Sequence, residues 1–171
     1  MNFYPLEGNL ITGEVDWSKS AIAYDNTRLI SGVLQINQLL CTVANEYGYK
    51  TRYKSYGINH PNRIWAGESR NNFTNLLALD NALLCEYSIR FHKEHKCLSV
   101  YEDLRRLSKV LPFPKEEATH LDPSVPFKYF STNVIVATRS YWLSKETMRY
   151  PKNRIPDWFV KGRKIPYEVV L

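Results

Sequence analysis

Hydrophobic residues recur at helical spacing along most of this chain of 171 residues. The first clear stripe begins after Asp25, where apolar positions follow one another at steps of three and four residues. It predicts one long helix that ends near Gly48, because glycine is common just beyond a helix end. The stripe consists of Leu29, Val33, Ile36, Leu40 and Val43.

A second apolar stripe predicts another long helix, which begins near Glu68 or Ser69 and runs to about His92. Between the two helices lies a basic, aromatic segment that contains Pro61, and we expect it to be a loop. The members of the second stripe are Phe73, Leu76, Leu77, Leu83, Leu84, Tyr87 and Phe91.

Two shorter helices are expected in the second half of the chain. Ser99 followed by Glu102 is a capping-box pattern, which predicts a helix that ends at about Val110. The fourth predicted helix covers roughly residues 132–148. A proline-rich stretch over residues 112–126 lies between them, and it is typical of a surface loop or an ordered wrap.

These patterns predict a mainly α fold with a single compact domain of about four helices. Residues 1–24 form an irregular segment, in which "NLITGEVDW" could contribute one short strand. Residues 25–148 form the helical core, and residues 149–171 form a basic tail broken by prolines, which Trp158 and Phe159 anchor to the core. The length of the chain suits one domain.

Composition adds a function class to this picture. The chain is 44% hydrophobic, so it can bury a core, and its net charge of +6 suits a polyanionic partner such as DNA or a nucleotide. We find no apolar run long enough to span a membrane and no signal-peptide pattern at the start, so a cytoplasmic protein is expected. Cys41, Cys85 and Cys97 are then reduced thiols.

Polar residues on the first long helix form one candidate site. Arg28 and Gln35 share a face with small residues at Ser31 and Gly32, where a flat ligand could come close. Glycine costs about 1 kcal/mol relative to alanine inside a helix, so its presence needs a reason. The alternative is a solvated face with a glycine that serves helix packing.

The segment "YGINHPNRIWAGES" is dense in polar and aromatic side chains for a simple connection. Pro61 restricts His60 to an extended backbone, and Asn59 suits the turn before it. His60 could carry a proton or donate to a phosphate, Arg63 could bind a phosphate, and Trp65 could stack on a base. The alternative is a shaped turn between two helices.

The predicted start of the second long helix forms a candidate phosphate site. Backbone N–H groups in a first helical turn attract anions, and Ser69 and Asn72 could add side-chain donors. Glu68 is a candidate catalytic acid there. The alternative, which is compatible, makes Ser69 the helix cap and Glu68 an acid favoured by the helix dipole.

Further along the same helix, Glu86 and Arg90 are four residues apart, in the favourable order for an ion pair. Such a pair is either structural, which we favour, or it orients Glu86 as a catalytic acid and Arg90 as a binding residue. The segment "HKEHKC" that follows could supply zinc ligands through His92 and His95 with a nearby cysteine. A full ligand set is not evident, so neither a metal nor a cofactor is expected.

The loop between the two long helices interleaves tyrosines with cations. Cations can contact phosphates and aromatic rings can stack on exposed bases, whereas the alternative is a solvated basic loop whose tyrosines pack inward. The sequence shows no phosphate-binding glycine loop, HExxH or GxSxG pattern. The loop residues are Tyr47, Tyr49, Lys50, Arg52, Tyr53, Lys54 and Tyr56.

Several segments in order resemble a family of small proteins found largely in tailed bacteriophages: "YDNTRLISGVLQINQLLCT", "NHPNRIWAGESRNNFTNLL", "CEYSIRFHKEHKC", "ATRSYWLSKE" and "IPDWF". The resemblance covers about residues 23–159. That family is in turn similar to the pyrimidine-dimer DNA glycosylases of the endonuclease V-like fold, which share a first helix with a polar face, an "NHP" loop and a long second helix.

The resemblance implies a DNA-acting protein in the infected bacterial cell. In the glycosylases an N-terminal amine attacks C1′ of the damaged nucleotide to give an imine, and a glutamate on the first helix assists, while the DNA is kinked with a base flipped out. The resemblance places that glutamate at Gln35, which is not a carboxylate, and Met1 is expected to remain before Asn2. Three hypotheses follow: a base-excising or base-modifying DNA glycosylase-like enzyme, a non-catalytic protein that sequesters a nucleotide signal, and a protein-interaction module.

Overall fold

Helices dominate the structure, which confirms the mainly α class predicted from the hydrophobic periodicity. A computed structural model describes residues 2–164 and 167–170. Within them, β1 (Arg149–Pro151) and β2 (Glu168–Val170) form a parallel two-stranded sheet, and short 3-10 turns cover Phe127–Tyr129 and Lys152–Arg154. The α-helices are α1 (Trp17–Ile22), α2 (Asn26–Glu46), α3 (Pro61–Glu68), α4 (Arg70–Phe91), α5 (Leu98–Leu107), α6 (Val134–Leu143) and α7 (Asp157–Gly162).

The four predicted helices correspond to α2, α4, α5 and α6, and three short helices were not predicted. The helices α1, α3 and α7 have six, eight and six residues, too few for an apolar stripe to repeat. Their starts nevertheless carry local signals. The side chain of Asp16 caps α1, and Pro61 occupies the first turn of α3.

One predicted helix start, one predicted helix end and one predicted strand differ from the structure. The prediction that Ser99 caps α5 is wrong, because the helix already begins at Leu98. The Ser99 hydroxyl accepts a hydrogen bond from Arg52 instead. The helix α6 ends at Leu143, five residues short of Met148. In the segment predicted as a strand, only an isolated antiparallel bridge joins Gly8 to Val15.

The core lies between α2 and α4, which pack on each other, and α1, α3 and α5 cover their flanks. Gly32 on α2 lets the ring of Tyr24 lie close to the helix backbone. A Cβ at position 32 would come 3.2 Å from that ring. Gly48 lies just past the end of α2 with φ +85°, a conformation that glycine adopts without strain. Gly32 therefore serves packing, as the alternative interpretation held.

A polar pair is enclosed within this apolar core. Asn37 on α2 donates its amide to Asp80 Oδ2 on α4 at 2.7 Å, and both side chains are fully buried. Asn37 Oδ1 and Asp80 Oδ1 have no hydrogen-bond partner among the described residues. Burial raises the pKa of Asp80 well above its ordinary value, and the amide of Asn37 lowers it by less. Burial therefore favours the neutral, protonated form of this carboxyl.

The first and last parts of the described chain meet at Glu7. One carboxylate oxygen of Glu7 accepts from the Trp158 indole at 2.6 Å and the other from Arg139 at 2.5 Å. The Arg139 guanidinium also lies over the Trp158 ring, 4.7 Å from its centroid. Phe159 beside it is fully buried, so residues 158–159 attach the tail to the core as predicted.

Candidate functional site

The predicted phosphate site at the start of α4 is closed by the proline-rich loop. Ser69 caps the helix, since its hydroxyl accepts from the Asn72 backbone N–H at 3.1 Å. The N–H groups of Arg70 and Asn71 donate to the carbonyls of Lys115 and Glu116 at 2.9 and 3.0 Å. The donors that would hold an anion are thus already used, and this face of α4 carries the capping role rather than an open site.

Thr119 from the same loop links three residues that were predicted as site residues. Its hydroxyl donates to Glu68 Oε2 at 2.6 Å and accepts from the Asn72 amide at 2.7 Å. Its backbone N–H donates to Asn72 Oδ1, and its carbonyl accepts from the Trp65 indole. The fully buried Asn72 also donates to the Trp65 carbonyl. These side chains do lie together, and their hydrogen bonds hold the loop against α3 and α4.

Trp65 presents little of its ring to solvent, because it is only 6% exposed. Its ring centroid lies 5.7 Å from that of Phe3 and 6.2 Å from that of Trp17. Trp65 also lines a cleft of about 470 Å³ together with Asn75 and His120. A base could not stack on the face of Trp65 unless Phe3 or Trp17 moved away.

The "NHP" turn shapes the start of α3. His60 is extended, as Pro61 predicts, and its Nδ1 accepts from the Asn62 backbone N–H at 3.2 Å. Burial lowers the pKa of His60, so the ring is neutral at physiological pH and suits this acceptor role. Asn59 is exposed, and Arg63 forms an ion pair with Glu46.

The polar face of α2 is occupied by the chain itself. Arg28 donates to Asp25 and to the Thr147 carbonyl, and its guanidinium lies 5.5 Å from the centroid of the Trp142 ring. Gln35 Oε1 accepts from the backbone N–H of Asn2 at 2.9 Å. The amino-terminal segment therefore runs against α2 at the position that the resemblance assigns to the glutamate. Met1 itself lies outside the described residues.

Glu86 and Arg90 form a buried structural ion pair, with Arg90 Nε 2.7 Å from Glu86 Oε1. Arg154 from the tail contacts the same carboxylate oxygen at 2.6 Å. Arg90 also donates to the carbonyls of Ile22 and Tyr24. This carboxylate is paired on both sides and buried, which suits anchoring of α4 to the α1–α2 turn better than proton transfer to a ligand.

The segment that offered zinc ligands forms the end of α4 and the turn after it. His92 adopts a left-handed conformation at φ 51° and ends the helix. His95 Nδ1 accepts from the Cys97 backbone N–H at 3.1 Å. Within residues 2–164 and 167–170, no group of three histidine, cysteine or acidic side chains is arranged to hold a metal ion.

A different cleft lies between the basic aromatic loop and α5, and we name it the Arg52 cleft. Its volume is about 470 Å³. Arg52 and Arg106 both contact the carboxylate of Asp103, at 3.4 and 2.5 Å, and Lys50 lies on the same rim. The cleft is therefore lined by three cations and one acid. The floor is apolar and consists of Cys41, Val100, Leu104 and Leu107.

The thiols under the Arg52 cleft are protonated. Burial raises the pKa of the Cys41 and Cys97 thiols, and protonated thiols are weak nucleophiles. Tyr53 lies beside them with its hydroxyl 3.4 Å from Cys97 Sγ. This hydrogen bond, together with burial, raises the pKa of Tyr53 to about 12. The floor of the cleft is thus neutral and suited to non-covalent binding.

Comparisons with protein-family models, curated proteins and solved structures each found no match for this chain. The resemblance to tailed-phage proteins and dimer glycosylases therefore stays a prediction. None of the helices in the described part of the chain is long and apolar enough to cross a membrane.

The predicted site residues thus fall into separate places rather than one pocket. Trp65, Glu68 and Asn72 share the contact with Thr119, whereas Gln35 meets the amino-terminal segment and Glu86 lies with Arg90. The loop half of the Arg52 cleft belongs to the segment whose alternating tyrosines and cations make it a candidate for phosphate and base contacts. The α5 half was missed, because charged residues such as Asp103 and Arg106 are ordinary on an exposed helix face.

Proposed function

We propose that this protein binds a nucleotide through the Arg52 cleft, either free or as part of a DNA chain. The observation that carries the proposal is the lining of the cleft, where Lys50, Arg52 and Arg106 outnumber the single carboxylate of Asp103. A phosphate group would neutralise the excess charge and accept hydrogen bonds from guanidinium groups in a bidentate manner.

The floor of the cleft supports the same ligand class. Val100, Leu104 and Leu107 form an apolar surface on which a flat base can lie while its phosphate meets the rim. The volume of about 470 Å³ falls within the range of about 300–1,000 Å³ usual for small-molecule sites. A purely polyanionic ligand, such as polyphosphate, would leave this apolar floor unused.

Binding without catalysis is favoured by the state of the candidate acids and nucleophiles. Glu86 is held between two arginines, Glu68 accepts from Thr119, and the Cys41 thiol is protonated. These contacts support the nucleotide-binding hypothesis over base excision. A protein of this kind could sequester a nucleotide signal.

Calorimetric titration with thymidine monophosphate and adenosine triphosphate, beside thymidine and pyrophosphate, tests the proposal. We expect Arg52→Ala to weaken nucleotide binding by about 10-fold or more, which corresponds to one charge-assisted hydrogen bond of about 1.5–3 kcal/mol. Arg105→Ala is the matched control, since Arg105 is an exposed neighbour that does not line the cleft. Pyrophosphate binding as tight as nucleotide binding, or equal losses in both variants, would contradict the proposal.

A second candidate function, base excision through an imine, is favoured by one contact. The Asn2 backbone donates to Gln35, so the amino-terminal segment adjoins the position of the family glutamate. Borohydride trapping on ultraviolet-irradiated and abasic duplex DNA tests this function, and Gln35→Glu should raise the yield of the covalent adduct. Absence of an adduct in both proteins, under conditions where the DNA is bound, would exclude it.

A further inference from the structure

A second surface, remote in sequence from the Arg52 cleft, exposes a group of aromatic rings. The 3-10 turn over Phe127–Tyr129 follows Pro126 and projects Phe127, which is 91% exposed, while Phe130 is 53% exposed. A single exposed apolar side chain is ordinary, whereas a contiguous group of them indicates an interaction site. We name Phe127, Tyr129, Phe130 and Tyr141 the aromatic ridge.

The rings of the aromatic ridge are ordered relative to one another. Phe127 and Phe130 lie with their planes 17° from parallel and their centroids 6.4 Å apart. Tyr129 and Tyr141 form a second pair, with centroids 5.4 Å apart. Two nearly parallel phenyl rings at the surface provide flat faces on which other flat rings can stack.

Cations accompany these rings. Lys128 Nζ lies 4.9 Å from the centroid of the Tyr129 ring, and Lys145 Nζ lies 3.6 Å from that of Tyr141. Neither lysine has a carboxylate partner within 4.0 Å among the described residues. A hydrogen bond with Ser144 and the two lysines lower the pKa of Tyr129, which agrees with a locally positive field.

We propose that the aromatic ridge is a binding surface for single-stranded nucleic acid. Bases stack on Phe127 and Phe130, and the phosphates of the same strand contact Lys128 and Lys145. This combination of stacking faces and unpaired cations is the chemistry by which proteins hold single strands without reading their sequence. The net charge of +6 favours the same partner.

The chemistry of the ridge favours this partner over the other occupants of an exposed apolar surface. An apolar protein partner would bury the lysine ammonium groups without a counter-charge, which costs free energy. A DNA duplex keeps its base faces stacked inside the helix, so only its phosphates could meet the ridge. A single strand supplies both exposed rings and negative charge.

The proposal does not depend on the Arg52 cleft, because the two surfaces share no residue. Variants of each surface therefore give separate outcomes. Ridge variants should leave mononucleotide binding unchanged, whereas Arg52→Ala should weaken mononucleotide binding. Loss of single-strand binding in Arg52→Ala alone, with ridge variants unaffected, would assign that binding to the cleft and overturn the ridge proposal.

The aromatic part of the proposal is tested by fluorescence anisotropy with a labelled 20-nucleotide oligothymidine, a duplex of the same length and heparin. We expect the double variant Phe127→Ala and Phe130→Ala to weaken single-strand binding by about 5-fold or more for each base that loses its stacking partner. Heparin binding should change little, because heparin offers no stacking ring. Ile11→Ala is the control, since Ile11 is an equally open apolar side chain at 94% exposure.

The electrostatic part is tested by the salt dependence of the same binding. Each phosphate contact on a single strand contributes about −0.7 to the slope of log K against log salt, so Lys128→Gln with Lys145→Gln should make the slope less negative by about 1.4. Lys152→Gln replaces an exposed lysine elsewhere in the chain and should leave the slope unchanged.

Three results would overturn the proposal. The first is the absence of single-strand binding at low salt. The second is an equal loss of heparin and oligothymidine binding in the phenylalanine double variant. The third is a wild-type protein that is dimeric by light scattering and becomes monomeric in that variant, since the ridge would then be an interface between two copies of this chain. Thermal melting of each variant checks that the substitutions at exposed positions leave the fold intact.

Discussion

Replacing Asp80 with asparagine should stabilise this protein at neutral pH. Asp80 is fully buried between α2 and α4, and burial raises the pKa of its carboxyl well above the ordinary value. The Asn37 amide donates to Asp80 Oδ2, while Asn37 Oδ1 and Asp80 Oδ1 have no hydrogen-bond partner among the described residues, and a protonated Asp80 adds an O–H donor to this pair. Asparagine at position 80 supplies an N–H in place of that O–H and does not titrate.

The size of the effect follows from proton linkage. The unfolded carboxyl releases its proton near its ordinary pKa of 3.8, whereas the folded one keeps it to a higher pH. Folding therefore takes up a proton above about pH 4, and the free energy of unfolding falls by about 1.4 kcal/mol per pH unit from this group. The loss continues until the pH passes the raised pKa of folded Asp80, where it levels off.

Urea unfolding of the wild type and Asp80→Asn at several pH values between 4 and 8 measures this difference. The two proteins should be similar in stability at the low end, and the variant should gain as pH rises. Asp25→Asn is a contrasting control. Asp25 is equally buried, but its carboxylate is paired with Arg28 at 3.1 Å, so the same change there should destabilise the protein. Parallel pH curves for the wild type and Asp80→Asn would refute the reasoning, since Asp80 would then be ionised in the folded protein.

Two further predictions concern residues first considered as site residues. Glu86→Gln should lower the free energy of unfolding by about 3–5 kcal/mol, because it leaves the buried guanidinium of Arg90 without its counter-charge. Glu116→Gln, at an exposed ion pair, should cost at most about 1 kcal/mol. Urea unfolding of the two variants measures both changes. Asn72→Ala should release the 112–126 loop by removing its bonds to Thr119, which limited proteolysis would detect as earlier cleavage within the loop, and unchanged cleavage would mean that other contacts hold it.

The sequence predicted the parts of the fold that depend on local periodicity. The helices α2 and α4 have 21 and 22 residues, long enough for an apolar stripe to repeat several times. The helix α3 has eight residues, and its only sequence signal is the proline in its first turn. The sequence therefore predicts a loop there.

The arrangement of the candidate sites depended on contacts that the sequence does not reveal. The carbonyls of Lys115 and Glu116 close the start of α4, and a backbone carbonyl is present at every residue, so nothing in the sequence marks these two. The contact of Thr119 with Asn72 spans 47 residues, and α4 carries no signal for it. The Glu86–Arg90 pair, by contrast, follows from spacing within one helix and was predicted.

The meeting of distant segments at Glu7 has a consequence for the order in which the protein folds. The bond between Glu7 and Trp158 spans 151 residues, whereas the contacts among α2, α3 and α4 span far shorter stretches. Long loops close at a greater entropic cost, so this contact is expected to form after the central helices have assembled. Interactions that form late act mainly on the rate of unfolding. Glu7 would then set how long the native state persists rather than how quickly it is reached.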